Sequence, residues 1–117
     1  MIVEIEGKEI GLHFGMLAYE HVIGKANDFA NLPMSKAFIE IFHGGSVNYC
    51  YKNGLNVPDF SESYDLCEIL FAEGLEKQNL IFSEWENSLA NKKLTESLNQ
   101  LMNANSNEEH DEGKKKV

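Results

Sequence analysis

The sequence predicts a mainly α-helical domain in which a short N-terminal β-hairpin is followed by a bundle of about four helices. Two short segments with alternating apolar residues, 2–6 and 9–15, flank the dipeptide Gly7-Lys8, and this pattern is typical of a hairpin. Beyond it, apolar residues recur every three or four positions, which is helical spacing. A chain of 117 residues fits one domain. We place that domain at residues 1–102, followed by a tail at 103–117.

The first two elements are predicted from the start of the chain. Gly7 suits the positive φ of a type II′ turn at Gly7-Lys8. Apolar residues at three- and four-residue intervals then define one face of a first helix: Met16, Leu17, Tyr19, Val22, Ile23 and Ala26. Since glycine commonly follows the last turn of a helix, this helix is expected to end near Gly24 or Lys25.

A second helix is predicted to start at Pro33, where the missing N–H of proline costs nothing. Gly44-Gly45 lies in its middle, and each glycine costs about 1 kcal/mol of helix stability relative to alanine. Either the helix breaks there, or another element packs closely against it. We expect close packing, because the apolar spacing keeps its phase from Phe42 to Tyr49. Asn53-Gly54 supplies the C-terminal stop.

The remaining helices are predicted from the second half of the chain. Ser61 is the expected N-cap of the third helix. A fourth helix is expected from about Leu80 to Met102, and a break near Gly74 or a bend near Gln78-Asn79 separates it from the third.

The end of the fourth helix carries the candidate partner-binding residues. Its apolar stripe makes a step of five residues from Leu89 to Leu94, which rotates the later apolar residues relative to the earlier ones. This second set either completes the bundle or forms a docking surface for a partner helix or a second copy of the chain. The set comprises Leu94, Leu98, Leu101 and Met102.

Composition limits the classes of partner. The formal net charge is −9, which repels nucleic-acid phosphates and anionic membrane surfaces. No segment has the length and apolar character of a membrane span or the pattern of a signal peptide, so cytoplasmic residence is expected. The tail 103–117 is acidic, ends in lysines and has almost no apolar residues, a composition typical of disorder.

Residues able to do chemistry form no recognisable motif. No two of the four histidines (His13, His21, His43 and His110) have the i, i+4 spacing of a helical zinc pair. Cys50 and Cys67 lack Cys-x-x-Cys spacing and are expected to be buried thiols. The chain has neither a Gly-x-Ser-x-Gly elbow nor a phosphate-binding loop. We therefore expect no cofactor, no metal and no catalytic residue, and an enzyme would require histidines to converge with Ser, Cys or carboxylates.

The chain resembles the tail assembly chaperones of long-tailed bacteriophages. The similar features are a strand reading Ile10-Gly11-Leu12-His13-Phe14-Gly15, the segment from Met16 to Gly24, and helices that open near Pro33 and Ser61. Members of this family carry a strand ending in Phe-Gly or a similar pair, followed by an amphipathic helix closed by glycine. The resemblance covers roughly residues 1–102.

The resemblance implies a non-enzymatic protein that binds the phage tape-measure protein in the host cytoplasm and helps recruit tail-tube subunits, with self-association as a further expectation. Such a role requires exposed apolar helix surface to shield a client, together with a strongly soluble remainder. The alternative is a small acidic regulator or inhibitor, such as a DNA mimic, that occupies the basic site of a host protein.

Overall fold

The computed structural model describes residues 1–24 and 32–100, and it confirms a mainly helical domain with an N-terminal antiparallel hairpin. Within the described residues, two strands are followed by five helices. The strands are β1 (Ile2–Ile5) and β2 (Lys8–Gly11). The helices are α1 (Met16–Ile23), α2 (Met34–Lys52), α3 (Phe60–Glu73), α4 (Glu76–Glu86) and α5, which includes residues 89–100.

The hairpin turn lies one residue earlier than the sequence predicts. Ile5 pairs with Lys8, so the two turn residues are Glu6 and Gly7 rather than Gly7-Lys8. Both have positive φ, 50° at Glu6 and 77° at Gly7, which is typical of a type I′ turn and not of type II′. This register places the side chains of Val3 and Ile5 of β1 in the core. Their burial favours it, because a shift by one residue would expose them to solvent.

Helix α2 lies at the centre of the fold and contacts α1, α3, α4 and β2. It runs without a break through Gly44-Gly45, which confirms the prediction of close packing. A Cβ placed on Gly45 would lie 2.4 Å from Cε1 of Phe14, in the segment between β2 and α1. The predicted stop is also confirmed, since Asn53 is the C-cap and Gly54 has a φ of 65°.

The start of α3 differs from the prediction, because Asp59 and not Ser61 is the N-cap. The Asp59 carboxylate accepts hydrogen bonds from the Glu62 amide at 2.9 Å and from the Ser61 hydroxyl at 2.7 Å. Ser61 thus lies inside the first turn and supports the cap. Hydrogen bonds from these two groups lower the pKa of Asp59, because they stabilise the charged carboxylate.

The predicted fourth helix is two helices. Gly74, with a φ of 112°, ends α3, and α4 begins at Glu76 rather than near Leu80. A second break follows at residues 87–88. Ser88 caps α5 there: its hydroxyl donates to the Trp85 carbonyl at 2.6 Å and accepts from the Asn91 amide at 3.1 Å. This break explains the irregular step in the apolar pattern.

One core joins the hairpin and the five helices. Its larger buried side chains include Ile5, Leu12, Phe38, Phe42, Leu70, Ile81, Trp85 and Leu94. Both cysteines are free thiols; Cys67 is buried as predicted, whereas Cys50 is only half-buried. The predicted tail at 103–117 lies outside the described residues and stays a prediction.

Candidate functional site

An apolar groove lies between the start of α2, the end of α3 and one face of α4. We call it the helix groove. It consists of two adjoining cavities of about 240 and 550 Å³ that share Met34, Gln78 and Phe82. Its lining residues are Met34, Ser35, Phe38, Phe71, Leu75, Gln78, Asn79, Phe82, Ser83 and Glu86.

Three phenylalanines form the base of the helix groove. The ring of Phe38 is buried, and its centroid lies 5.6 Å from that of Phe71 and 5.1 Å from that of Phe82. Aromatic contacts at these distances add stability beyond area burial. The base is therefore held by packing against the core, whereas Met34 and Leu75, which are 71% and 68% exposed, line it from outside.

The position of the helix groove follows from the helical period of α4. Ile81 and Trp85 face the core, and the neighbouring face carries Leu75, Phe82 and Glu86 at helical spacing. Gly74 allows the chain to turn sharply between α3 and α4. This turn places Leu75 beside Met34, since both line the same cavity.

The phenylalanines, Met34 and Leu75 suit the helix groove to binding apolar surface. Of the lining residues within the described part of the chain, Glu86 is the one that carries a charge, and the other polar ones are serines and amides. No group of three or more His, Cys, Asp or Glu side chains within residues 1–24 and 32–100 could hold a metal ion.

A separate polar site, the histidine cluster, joins α1, α2 and α3. We define it as His21, Glu40, His43 and Ser63. The Nδ1 of His43 lies 2.7 Å from the Ser63 hydroxyl, and the rings of His21 and His43 are 5.0 Å apart. The Nε2 of His21 lies 3.3 Å from Oε2 of Glu40. Two histidines, a serine and a carboxylate thus converge, an arrangement that sequence spacing did not predict.

Burial decides what this cluster can do. A serine next to a histidine is the arrangement of an activated nucleophile, which must also reach its substrate. Ser63 has no exposed surface, and His43 is only 7% exposed. In this conformation the pair has no access to substrate, and its contacts instead satisfy polar groups between packed helices.

The pKa shifts outside the cluster do not indicate a reactive group. Burial raises the pKa of the Cys67 thiol to about 12, so Cys67 is protonated at neutral pH and is a poor nucleophile. Burial, followed by the positive charges of Lys52 and the N-terminal amine, lowers the pKa of His13. The imidazole of His13 is therefore uncharged at neutral pH.

The structure separates the predicted partner-binding residues. Leu94 is 2% exposed and belongs to the core, so its side chain is not available to a partner in this conformation. Leu98 is half-buried and packs against the core. Leu101 and Met102 lie outside the described residues. α5 is oriented by core packing and by a 2.9 Å hydrogen bond between the hydroxyls of Ser97 and Tyr19.

No protein-family model, curated protein or solved structure matches this chain. Within the described part of the chain, no helix is both long enough and apolar enough to cross a membrane.

The sequence analysis did not identify the helix groove, because helical spacing alone does not separate core-facing from exposed apolar side chains. The signal was present in the spacing: Phe71, Leu75 and Phe82 are separated by four and seven residues, which would give one stripe on a continuous helix. That stripe is additional to the core-facing Ile81 and Trp85. An α4 with apolar residues on two faces indicates a surface beyond the one buried in the domain.

Proposed function

We propose that this protein is a non-enzymatic tail assembly chaperone of a long-tailed phage or prophage. In this proposal it binds the tape-measure protein in the bacterial cytoplasm and helps recruit tail-tube subunits. The observation that carries the proposal is the helix groove on the surface of an acidic helical domain. A long helical client needs this kind of apolar surface to cover its own exposed apolar residues.

The wider surface supports a role in protein binding. Beyond the helix groove, large apolar side chains with half or more of their surface exposed occur on β1, at the end of α2, in the loop that follows, on α4 and on α5. They are Ile2, Tyr51, Leu55, Val57, Leu80 and Leu89. Single exposed apolar residues of this kind are normal. Several exposed apolar residues that line one groove, as in the helix groove, are typical of an interaction site.

The charge supports a protein client over a nucleic acid. All ten basic residues are lysines, and the chain has no arginine, the residue whose planar fork best recognises phosphate. The excess of carboxylates, with a net charge of −9, favours solubility. A chaperone that must hold an apolar client in solution benefits from both features.

The test is co-expression of the tagged full chain with the tail genes of its phage or prophage, followed by affinity capture and mass spectrometry. We expect the tape-measure protein, the tail-tube protein or both to be recovered. Leu75→Glu should reduce that recovery, whereas the matched variant Leu80→Glu, on another face of α4, should not.

Two results would overturn the proposal. Recovery of a basic DNA-binding protein without tail proteins would favour the acidic regulator. Absence of any stable partner would remove the chaperone function and reopen the question of an enzyme. Thermal unfolding of both variants must match that of the parent protein, so that lost recovery reports on the surface and not on folding.

A further inference from the structure

We propose that the helix groove binds an amphipathic α-helix with apolar residues at positions i, i+4, i+7 and i+11 and a lysine or arginine that pairs with Glu86. This inference rests on the proposed function, because it names the segment of the partner protein that the same groove takes. It specifies the length, the spacing and the charge of that segment.

The length follows from α4. The groove residues of this element extend from Leu75 to Glu86, which at 1.5 Å per residue corresponds to roughly 16 Å, or three helical turns. A docked helix of three turns presents four apolar side chains on one face. On a helix of this length, residues at i, i+4, i+7 and i+11 share one face.

The apolar residues of the docked helix have a defined place to bind. The rings of Phe71 and Phe82 both lie next to the buried Phe38 ring, with centroids 5.6 and 5.1 Å from it, and the exposed side chains of Met34 and Leu75 line the same groove. Helices pack when side chains of one fill the spaces between side chains of the other. The side chains at i+4 and i+7 would fill the space above the three phenylalanines.

The negative charge of Glu86 indicates which kind of residue should flank the apolar stripe of the docked helix. Among the lining residues that the structure describes, Glu86 is the only charged one, and it lies at the end of α4. Electrostatic complementarity contributes more to orientation and specificity than to affinity. A basic residue near Glu86 would thus set the direction of the docked helix.

The predicted tail of the chain is poorly suited to occupy the helix groove. Between residues 101 and 117 the apolar residues are Leu101, Met102, Ala104 and Val117, which do not form a stripe at helical spacing. A second copy of the chain is a different occupant, and the experiment below separates it from a partner helix.

The probe is a fluorescein-labelled 16-residue peptide, rich in alanine and glutamine, with leucine at the four stripe positions and lysine at one flank. Binding to the full chain is measured by fluorescence anisotropy. We expect saturable binding that is weakened at least tenfold by Leu75→Glu and by Met34→Glu. The matched variant Leu80→Glu should stay within twofold of the parent, because Leu80 lies in a separate hollow beside β1.

Charge exchange tests the orientation. Glu86→Lys should weaken binding of the lysine peptide by about threefold to tenfold, and replacing the peptide lysine with glutamate should restore it. A scrambled peptide of the same composition should bind at least tenfold more weakly than the probe. Circular dichroism confirms that each variant is folded.

Three outcomes would overturn the inference: equal binding of the scrambled peptide, equal loss in Leu80→Glu, or no binding at all. A dimer seen by light scattering and abolished by Leu75→Glu would assign the helix groove to a second copy and also overturn it. If the peptide fails but tail proteins are captured, the proposed function stands and this inference does not. If the peptide binds but no tail protein is captured, this inference stands and the proposed function does not.

Discussion

Two adjacent glycines in α2 have different neighbours. A Cβ on Gly45 would lie 2.4 Å from Phe14, a distance that real contacts do not reach, whereas a Cβ on Gly44 would lie 3.3 Å from Cδ2 of His21. Phe14 is buried and stacks edge-on against Trp85 at 5.7 Å. His21 is partly exposed and can shift by a few tenths of an ångström. Gly45 is therefore required for packing and Gly44 much less so.

Replacing each glycine with alanine should separate packing from helix propensity. Both changes gain about 1 kcal/mol of propensity, but overpacking in a core typically costs 1–3 kcal/mol. We expect Gly45→Ala to lower the free energy of unfolding by up to about 2 kcal/mol and Gly44→Ala to leave it unchanged or raise it. Urea denaturation measures both, and equal losses would contradict the close approach of Phe14.

The two thiols should react at different rates. With a pKa of about 12, Cys67 is thiolate in only about one molecule in 10⁴ at pH 8, and it is buried, whereas Cys50 is half-buried. We expect a colorimetric thiol reagent to modify Cys50 first and Cys67 only when the chain unfolds. Cys50→Ala should abolish the early phase, and an early phase that persists would show that Cys67 is accessible.

The same pKa predicts how stability changes in alkaline solution. The folded chain keeps the Cys67 proton while the unfolded chain releases it above a pKa of about 9. The Cys67 thiol therefore does not lower the free energy of unfolding below pH 9. The free energy of unfolding falls as the pH rises from about 9 toward 12.

At the scale of elements, α1 is capped by a residue from another helix. Its N-cap position is Gly15, which has no side chain to accept a hydrogen bond. The Oδ1 of Asn48 in α2 instead accepts from the amides of Gly15 and Ala18, both at 3.0 Å. Asn48 thus satisfies two N–H groups that a local cap would otherwise serve. This side chain therefore links the start of α1 to the C-terminal half of α2.

Asn48→Ala should therefore lower the free energy of unfolding by more than the loss of an ordinary N-cap does. It leaves two buried amides without this acceptor, so we expect a loss of about 2–4 kcal/mol in the free energy of unfolding. The matched control is Asn53→Ala at the exposed end of the same helix, where the lost hydrogen bond to the Tyr49 carbonyl should cost below about 1 kcal/mol. Similar losses in chemical denaturation would show that water replaces Asn48.

At the scale of the whole molecule, α5 joins the core through Ala90 and Leu94. The amide of Ala90 donates to the Phe14 carbonyl at 3.4 Å, which connects this helix to the segment before α1. Leu98, one turn after Leu94, lies at the margin of the core. The start of α5 therefore completes the bundle, while the partner-binding role predicted for Leu98 stays a prediction.

Aspartate at these two positions should give opposite results. Leu94→Asp places a carboxylate in the core and should abolish cooperative thermal unfolding. Leu98→Asp should leave a folded protein with a lower melting temperature and, if the predicted role holds, with impaired capture of its partner. Global unfolding of Leu98→Asp would assign that residue fully to the core.

The sequence by itself determined features that depend on interactions within a few residues. Helical spacing predicted the class of fold, glycine and asparagine marked the ends of α1 and α2, and unbroken apolar phase predicted the close approach at Gly45. Errors arose where neighbouring polar residues competed for one role. Asp59 and Ser61 could both cap α3, and Ser88, which starts α5, was overlooked in a pattern interpreted as one helix.

Only the tertiary structure decided features that join distant parts of the chain. The cap on α1 from Asn48, the contact of His43 with Ser63, and the helix groove between Met34 and Leu75 each unite residues 20 or more positions apart. Local periodicity reports which residues avoid water but not which neighbours they meet. The same apolar spacing therefore describes Leu94, which is buried, and Leu75, which is exposed, and only the packing of helices against one another separates them.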